Sequence, residues 1–283
     1  MQIVIASGKG GTGKTTVASN LAFVLSGKYD VTLADCDVEE PNLGIFFPCN
    51  PEVQTVQVEV PEVLIDRCVL CGTCGDFCRF GALAVLKERV LFFQNLCHSC
   101  EGCFRICPSD ALQKKLVRVG EILTCRLSDS LVLVTGRLDE GDIRTTTIIR
   151  SVRKKVSPDP VVIIDSPPGT ACPFIETVDE TNLCVLVTEP TPFGLHDLSV
   201  AVNVLRVLRI RCLVVINRSD GNDELIEQYC TENELPVLMC IPFDFKLLNA
   251  QNTGKLISRE DKEWYLRFSE LGEKIMKYAR EDL

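Results

Sequence analysis

Two short runs, CVLCGTCGDFCRFGAL from Cys68 and CHSCEGCFRICPSDAL from Cys97, repeat the spacing C-x2-C-x2-C-x3-C. Thiolates are soft ligands, and the x2 steps let three of them wrap one face of a compact metal group while the fourth points away to a neighbouring group. Crossed in this way, the runs predict one set of Cys68, Cys71, Cys74 and Cys107 and a second of Cys97, Cys100, Cys103 and Cys78. Four thiolates hold either zinc or a [4Fe–4S] cluster. The doubled run, the x3 step and Pro108 after Cys107 favour two [4Fe–4S] clusters over a pair of zinc sites. Arg79 stands where the first run would carry the matching proline, which leaves the ligands intact. His98 reads as a loop residue beside the second set, because four cysteines already fill its positions.

A second constellation, GKGGTGKT over Gly8–Thr15, has the form G-x4-G-K-[ST]. Its small residues Gly8, Gly10, Gly11, Thr12 and Gly13 allow successive backbone N–H groups to curl around the phosphates of ATP or ADP. Lys14 is expected to reach the β- and γ-phosphates, and the Thr15 hydroxyl to coordinate Mg2+. Thr16 follows in the first turn of a helix whose N-terminus adds its own partial positive charge.

The elements around these residues suit that placement. QIVIA (2–6) is a short apolar strand leading into the glycine loop, and Val17, Ala18, Leu21, Ala22, Val24 and Leu25 recur at helical spacing after it. VTLAD (31–35) is a second strand, so the chain begins as a parallel α/β sheet. The pattern then stops in a Pro- and Val-rich stretch, 44–60, and resumes after about residue 114. VVIID (161–165), LCVLVT (183–188), CLVVIN (212–217) and PVLMCI (236–241) read as buried strands, with a helix over 195–209. The last helical stretch, 260–280, is amphipathic; packing on the sheet is the ordinary reading, a membrane-surface anchor the other. The expected fold is therefore α/β: a mainly parallel P-loop NTPase sheet flanked by helices over 1–58 and 114–283, with a small α+β insertion over 59–113 beside the nucleotide site.

Lys9 makes the glycine loop more specific. KGGTGKT resembles the deviant Walker A loop of the MinD/Mrp/ParA class, which includes the nitrogenase iron protein. That resemblance implies a homodimer when ATP is bound, with Lys9 reaching the partner's nucleotide. DCDVEEPNL (35–43) is similar to the class's first switch segment, which implies that Asp37 positions the attacking water. VVIIDSPPGT (161–170) is similar to its Walker B and second switch, which implies that Asp165 lies near Mg2+. Asn217 after a strand end, and Pro242 and Asp244 in IPFD, stand where the class lines the adenine; Asn217 alone would also pass as a plain strand-end residue. Together with VTEPTPFGLHDL (187–198), the chain resembles MinD-superfamily ATPases carrying an inserted bacterial-type ferredoxin domain. Cys172, seven residues past Asp165, matches the offset of a cluster-ligating cysteine in the nitrogenase iron protein, but TGRLDEGDIRTTT (135–147) offers no second cysteine. It reads either as a small buried packing residue beside Pro173 or as a nucleotide-gated thiol facing the dimer axis.

Composition narrows the function. A net charge of −9 argues against a nucleic-acid binder, and no apolar run approaches a membrane span. Sixteen cysteines in 283 residues with no leader-like start point to a reducing, cytoplasmic setting, in which the eight cysteines outside the runs are free thiols, several of them buried and inert. The resulting expectation is a Mg2+-dependent ATPase that gates electron transfer through two clusters to a redox partner protein. An iron–sulfur cluster carrier of Mrp type is the alternative, and a positional switch of MinD type a third.

Overall fold

The computed structural model describes residues 1–156 and 161–280. The start of the fold follows the expected order, β1 (Gln2–Ala6), α1 (Lys14–Leu25) and β2 (Val31–Asp35), and a short helix not expected from the sequence, α2 (Leu43–Phe46), comes next. A long strand β3 (Glu52–Val63) then leads into a small segment of α3 (Thr73–Phe77), β4 (Leu83–Val85), β5 (Val90–Phe92) and α4 (Gly102–Ile106). The chain returns through β6 (Leu112–Ser128) and β7 (Leu131–Leu138) to α5 (Thr145–Lys155). The remainder alternates: β8 (Val161–Asp165), α6 (Cys172–Val178), β9 (Leu183–Thr188), α7 (Pro192–Leu208), β10 (Arg211–Ser219), α8 (Glu224–Glu232), β11 (Val237–Pro242), then α9 (Phe245–Asn252), α10 (Ile257–Glu260) and α11 (Lys262–Arg280).

Nine strands form one sheet in the order β11-β10-β9-β1-β8-β2-β7-β6-β3. Every pairing from β11 to β7 is parallel, while β6 runs antiparallel to both β7 and β3. The central strands are apolar on both faces because helices cover both. Ile3, Ile5, Leu33 and Ile163 face Leu21 of α1 and Phe268 of α11, and the alternate residues Val4, Ala34 and Ile164 face Ile148 of α5 and Leu198 of α7. α1 and α5–α8 thus lie on opposite faces, and the carboxyl ends of the strands between them form the crevice where open α/β sheets bind ligands.

The β3–β6–β7 meander departs from the sequence reading. β3 and β6 pair from Glu52↔Thr124 to Val63↔Leu112, so the expected cuts at 58/59 and 113/114 fall within paired strands, and the separate segment is the chain between them, 64–111. These strands lacked the apolar signature of the others because they sit at the sheet's end. Many of their residues (Gln54, Lys115 and Arg118 among them) face solvent, and β3 is the edge of the sheet. The 64–111 segment is seated on the ribbon by a small apolar cluster of Val60, Ala82 and Cys97 with Val58, Phe92 and Val117.

Two further expectations are corrected or resolved. Cys49 and Cys125 are not free thiols; they form a disulfide with Cα atoms 6.3 Å apart, because the sheet brings together positions 76 residues apart in sequence. The last helix buries Trp264, Phe268, Leu271, Ile275 and Met276 on the sheet and α1, so its apolar face is a packing face. Among the described residues no helix is long and apolar enough to cross a membrane.

Phe268 is fully buried, with the Trp264 ring 5.9 Å away. Phe268→Ala is expected to cost about 3–5 kcal/mol of stability in urea unfolding, whereas a loss under about 1 kcal/mol would mean that α11 is peripheral to the core.

Candidate functional site

The loop between β1 and α1 is wrapped against other strand ends. Gly13, with φ of 97°, caps α1, and a Cβ there would come within 2.2 Å of Asn217 Nδ2. A Cβ at Gly8 would come within 2.3 Å of the Asp197 carbonyl oxygen. Close approach therefore requires glycine at both places, and the left-handed backbone requires it at Gly13 as well. Asn217, at the end of β10, donates from Nδ2 to the Thr12 carbonyl at 2.6 Å. In this form its amide braces the phosphate loop.

Parallel pairing of β2 and β8 sets Asp35 opposite Asp165, and Asp37 follows directly. The Asp35 carboxylate accepts from the Asp37 N–H at 3.2 Å and from the Leu43 N–H at 3.0 Å, so it shapes the 36–43 loop from beneath. Burial, and then the charge of Asp165, hold Asp35 well above the usual carboxylate range. Burial pushes Asp165 up to about 7 against the Thr15 hydroxyl that bonds to it and the Lys14 charge, with Asp37 adding to the rise. Asp37 is pushed up to about 6, chiefly by burial, against the pull of Lys14; Glu40 and Glu39 add to the rise. Lys14 is 6% exposed, the buried ammonium amid these acids.

The donor set fits a phosphate-bound divalent cation. Asp165 Oδ1, Thr12 Oγ1 and Thr16 Oγ1 are buried without a hydrogen-bond partner, beside a loop of backbone N–H groups. Buried polar atoms of this kind are ordinarily satisfied, and a nucleotide with its metal would satisfy them. Lys9 points elsewhere: its Nζ lies 3.0 Å from Glu189 Oε2, while Arg218 Nη1 lies 2.6 Å from Glu189 Oε1. Glu189 and Asp35 went unnoticed in the sequence. The acids in DCD and TEP were the available signals, but nothing in the spacing showed what they touch. Pro242 ends β11, and Asp244 caps α9 through the Lys246 N–H at 2.7 Å and takes the Trp264 Nε1–H at 3.1 Å. Both carboxylate oxygens of Asp244 thus have structural partners.

The eight run cysteines divide between two cavities. One, of about 490 Å³, is bordered by Cys78, Cys97, Cys100 and Cys103 with Phe77, Phe80, His98 and Phe104. The other is bordered by Cys68, Cys71, Cys74 and Cys107 with Val69, Val85 and Pro108. Backbone N–H groups point at sulfur in both: Ser99 N to Cys97 Sγ at 3.4 Å and Ala111 N to Cys107 Sγ at 3.3 Å. Cys103 is pushed up to about 11 by burial and by the Cys97 and Cys100 sulfurs, and Cys74 is raised by burial with Cys68 and Cys107 beside it. Burial raises Cys107 too, but the Ala111 and Ser109 N–H donors outweigh it and bring the thiol down. Crowded thiols of this kind are relieved by a cationic metal core. His98 lies in the loop of the second set, stacked on Phe80 with ring centroids 3.7 Å apart. Cys172 opens α6 and is exposed, which removes the reading of a buried packing residue.

The profile of the CobQ/CobB/MinD/ParA nucleotide binding domain matches residues 3–257. An uncharacterized protein of Methanocaldococcus jannaschii is 31% identical over 227 residues, 79% of this chain and 82% of its own. An iron-sulfur cluster carrier protein of Pyrococcus horikoshii is 24% identical across 99% of this chain and 87% of its own. The septum site-determining protein MinD of Pyrococcus horikoshii, solved in complex with Mg-ADP, aligns over 100% of this chain and 98% of that one, with a TM-score of 0.60 and 21% identity. At that identity the likeness is one of fold.

Raised carboxylates fix the sign of a pH effect. Between the ordinary value of 3.8 and about 7, folded Asp165 keeps a proton that the unfolded chain releases, so the nucleotide-free fold loses stability as pH rises through that window. Asp165→Asn is expected to flatten the decline in melting temperature between pH 5 and pH 8. Parallel pH profiles for the two proteins would show that Asp165 does not carry it.

Proposed function

The chain belongs to the CobQ/CobB/MinD/ParA nucleotide-binding family, and on that premise we propose that it is a Mg2+-dependent ATPase whose inserted ferredoxin-type segment, carrying two four-cysteine sites, passes electrons to a redox partner protein under nucleotide control. The observation that carries the cluster half of the proposal is the crossed partition of cysteines: each cavity has a complete set of four, three from one run and one from the other. Such crossing is the arrangement of two-cluster ferredoxins.

The ATPase half follows from the residues of the crevice. Backbone N–H groups of Gly10–Thr15 cradle the phosphates, and Lys14 balances the charge at the β/γ bridge. Thr15 and Asp165 would hold Mg2+, which would supply positive charge to offset that of the phosphates. Asp37, ionised above about pH 6, orients the attacking water, and the products are ADP and inorganic phosphate. Lys9 must leave Glu189 to serve a partner subunit's nucleotide, so ATP-driven dimerisation exchanges one anion for another at its ammonium. Asn217 would likewise trade its bond to Thr12 for the adenine edge, while Pro242 and Asp244 frame the base from β11 and α9. Each [4Fe–4S] group, when bound, supplies a one-electron carrier. The protein's part is to hold four thiolates at each site and to aim N–H donors at their sulfurs, which favours the anionic form.

A second reading is an iron–sulfur cluster carrier. It is favoured by the likeness to the iron-sulfur cluster carrier protein of Pyrococcus horikoshii and by the exposed Cys172 just past the 166–171 loop. Delivery of iron to an apo-acceptor supports the carrier, and reversible reduction with iron retained supports electron transfer.

Anaerobic preparations are expected to hold about eight irons per chain with matching acid-labile sulfide. Cys78→Ser should damage the cluster built on the second run, although Cys78 belongs to the first. Zinc with no iron–sulfur absorption would sink the cluster reading. Lys14→Ala should abolish tight ATP binding, while Lys9→Ala should spare binding and reduce ATP-dependent dimerisation and hydrolysis. Equal loss of binding in both variants would remove the cross-subunit role of Lys9.

A further inference from the structure

The two cysteine runs are near repeats, and they differ where one of them meets the nucleotide-binding body. Leu70 and Ser99 hold the same place, between the first and second cysteines of their runs, and both have left-handed backbone, with φ of 55° and 53°. Leu70 is apolar and 36% exposed. Ser99 instead offers its Oγ to Arg144 Nη1 at 3.4 Å.

Arg144 is only 4% exposed. Its guanidinium is forked on Asp142, with Nε donating to Oδ1 at 2.8 Å and Nη2 donating to Oδ2. The Nη1 contact to Ser99 is long for a hydrogen bond, so the third arm of a buried cation is only weakly satisfied. It faces the turn that carries Cys97 and Cys100.

Asp142 and Arg144 lie in the loop from β7 to α5, and both ends of that loop are fastened to the Asp37 segment. The Leu138 N–H donates to the Val38 carbonyl at 2.9 Å, and Thr145 Oγ1 donates to Glu39 Oε1 at 3.2 Å. Val38 is packed so closely that a Cβ on Gly136 would come within 2.7 Å of its Cγ1. One short loop therefore touches the segment beside the γ-phosphate position on one side and the second cysteine turn on the other.

We propose that Arg144 is the positioning residue that couples nucleotide state to the second cysteine site, Cys97–Cys100–Cys103–Cys78, and leaves the first site uncoupled. The inference rests on the ATPase and cluster reading above and adds which of the two sites responds and through which side chain. A shift of residues 37–39 on nucleotide binding is transmitted through Leu138 and Thr145 to the loop, and the loop carries the buried cation relative to the second cysteine turn. A cation that approaches or leaves a thiolate-bound group changes its electrostatic surroundings, and the potentials of such groups follow local charge and hydrogen bonding. Leu70 has neither the polar atom nor the buried cation needed for the same response.

The test compares the two runs in one metal-loaded protein. Hydrogen–deuterium exchange is measured over 68–78 and 97–107, with and without Mg2+ and a non-hydrolysable ATP analogue. The wild type is expected to show a change of about fivefold or more in the second run, the low end of ordinary coupling between sites, and little change in the first. Arg144→Gln should lose most of the second-run change, and Arg144→Lys, which keeps the charge without the fork, should retain part of it. Ser99→Ala leaves the Arg144–Asp142 pair intact and should also weaken the response, which keeps the test decisive if the Arg144 variants fold poorly. An EPR-monitored reductive titration should show the analogue moving one of two potentials in the wild type and neither in Arg144→Gln. Equal responses in both runs, or a second-run response unchanged in Arg144→Gln and Ser99→Ala, would overturn the proposal. Failure of the broader reading is distinct from this: absence of iron removes the EPR signal, and absence of analogue binding is seen directly in a binding titration.

Discussion

The parallel register of β2 and β8 places Asp35 beside Asp165 at the carboxyl ends of two fully buried strands, with Asp37 two residues on. Carboxylates do not share a dry crevice unless something positive joins them or protons are retained. In this chain Lys14 is the buried cation among them, and it is outnumbered. The rest of the crevice is arranged around that imbalance. Asp35 spends its oxygens on the Asp37 and Leu43 N–H groups and so fixes the loop that presents Asp37. Asp165 leaves one oxygen unpaired, next to the Thr15 hydroxyl. A crevice with surplus negative charge and orphaned oxygens is prepared for a metal cation accompanied by phosphate.

The same strand order decides what Lys9 does. β9 lies beside β1, so Glu189, just past the end of β9, sits under the start of the glycine loop and takes both Lys9 and Arg218. Glu189 is largely buried, which makes this pair firmer than a surface ion pair. Lys9 is therefore held within its own subunit until a stronger anion is offered. In the proposed dimer, a nucleotide brought by a second copy would be such an anion, and Lys9 would exchange Glu189 for it.

The cysteine segment is attached by a paired ribbon and not by a flexible linker. β3 and β6 extend the main sheet, and the 64–111 segment rests on their far end through Val60, Ala82 and Cys97. A rigid mounting transmits small displacements that a flexible tether would absorb. Its second contact with the body is the Arg144 loop, so the two cysteine sites are inequivalent although their sequences nearly repeat.

The sequence alone determined the chemistry on offer. Glycine spacing, Lys14 and Thr15 specify a phosphate loop because its conformation is local, and the C-x2-C-x2-C-x3-C repeats specify thiolate sets because ligand spacing within a turn is local too. The buried strands were legible for the same reason: continuous apolar runs such as VVIID have one comfortable place, inside a covered sheet. What depended on contacts distant in sequence was decided only in three dimensions. The β3–β6 pairing was obscured by solvent-facing charges along both strands, and the Cys49–Cys125 bond by a separation of 76 residues. Glu189 beneath Lys9, Asn217 on the Thr12 carbonyl, Asp244 on Trp264 and Arg144 behind Ser99 join residues whose types are unremarkable in isolation. Their roles arise from register and crossover order, which bring charges from separate strands to one edge, and no spacing along the chain encodes that meeting.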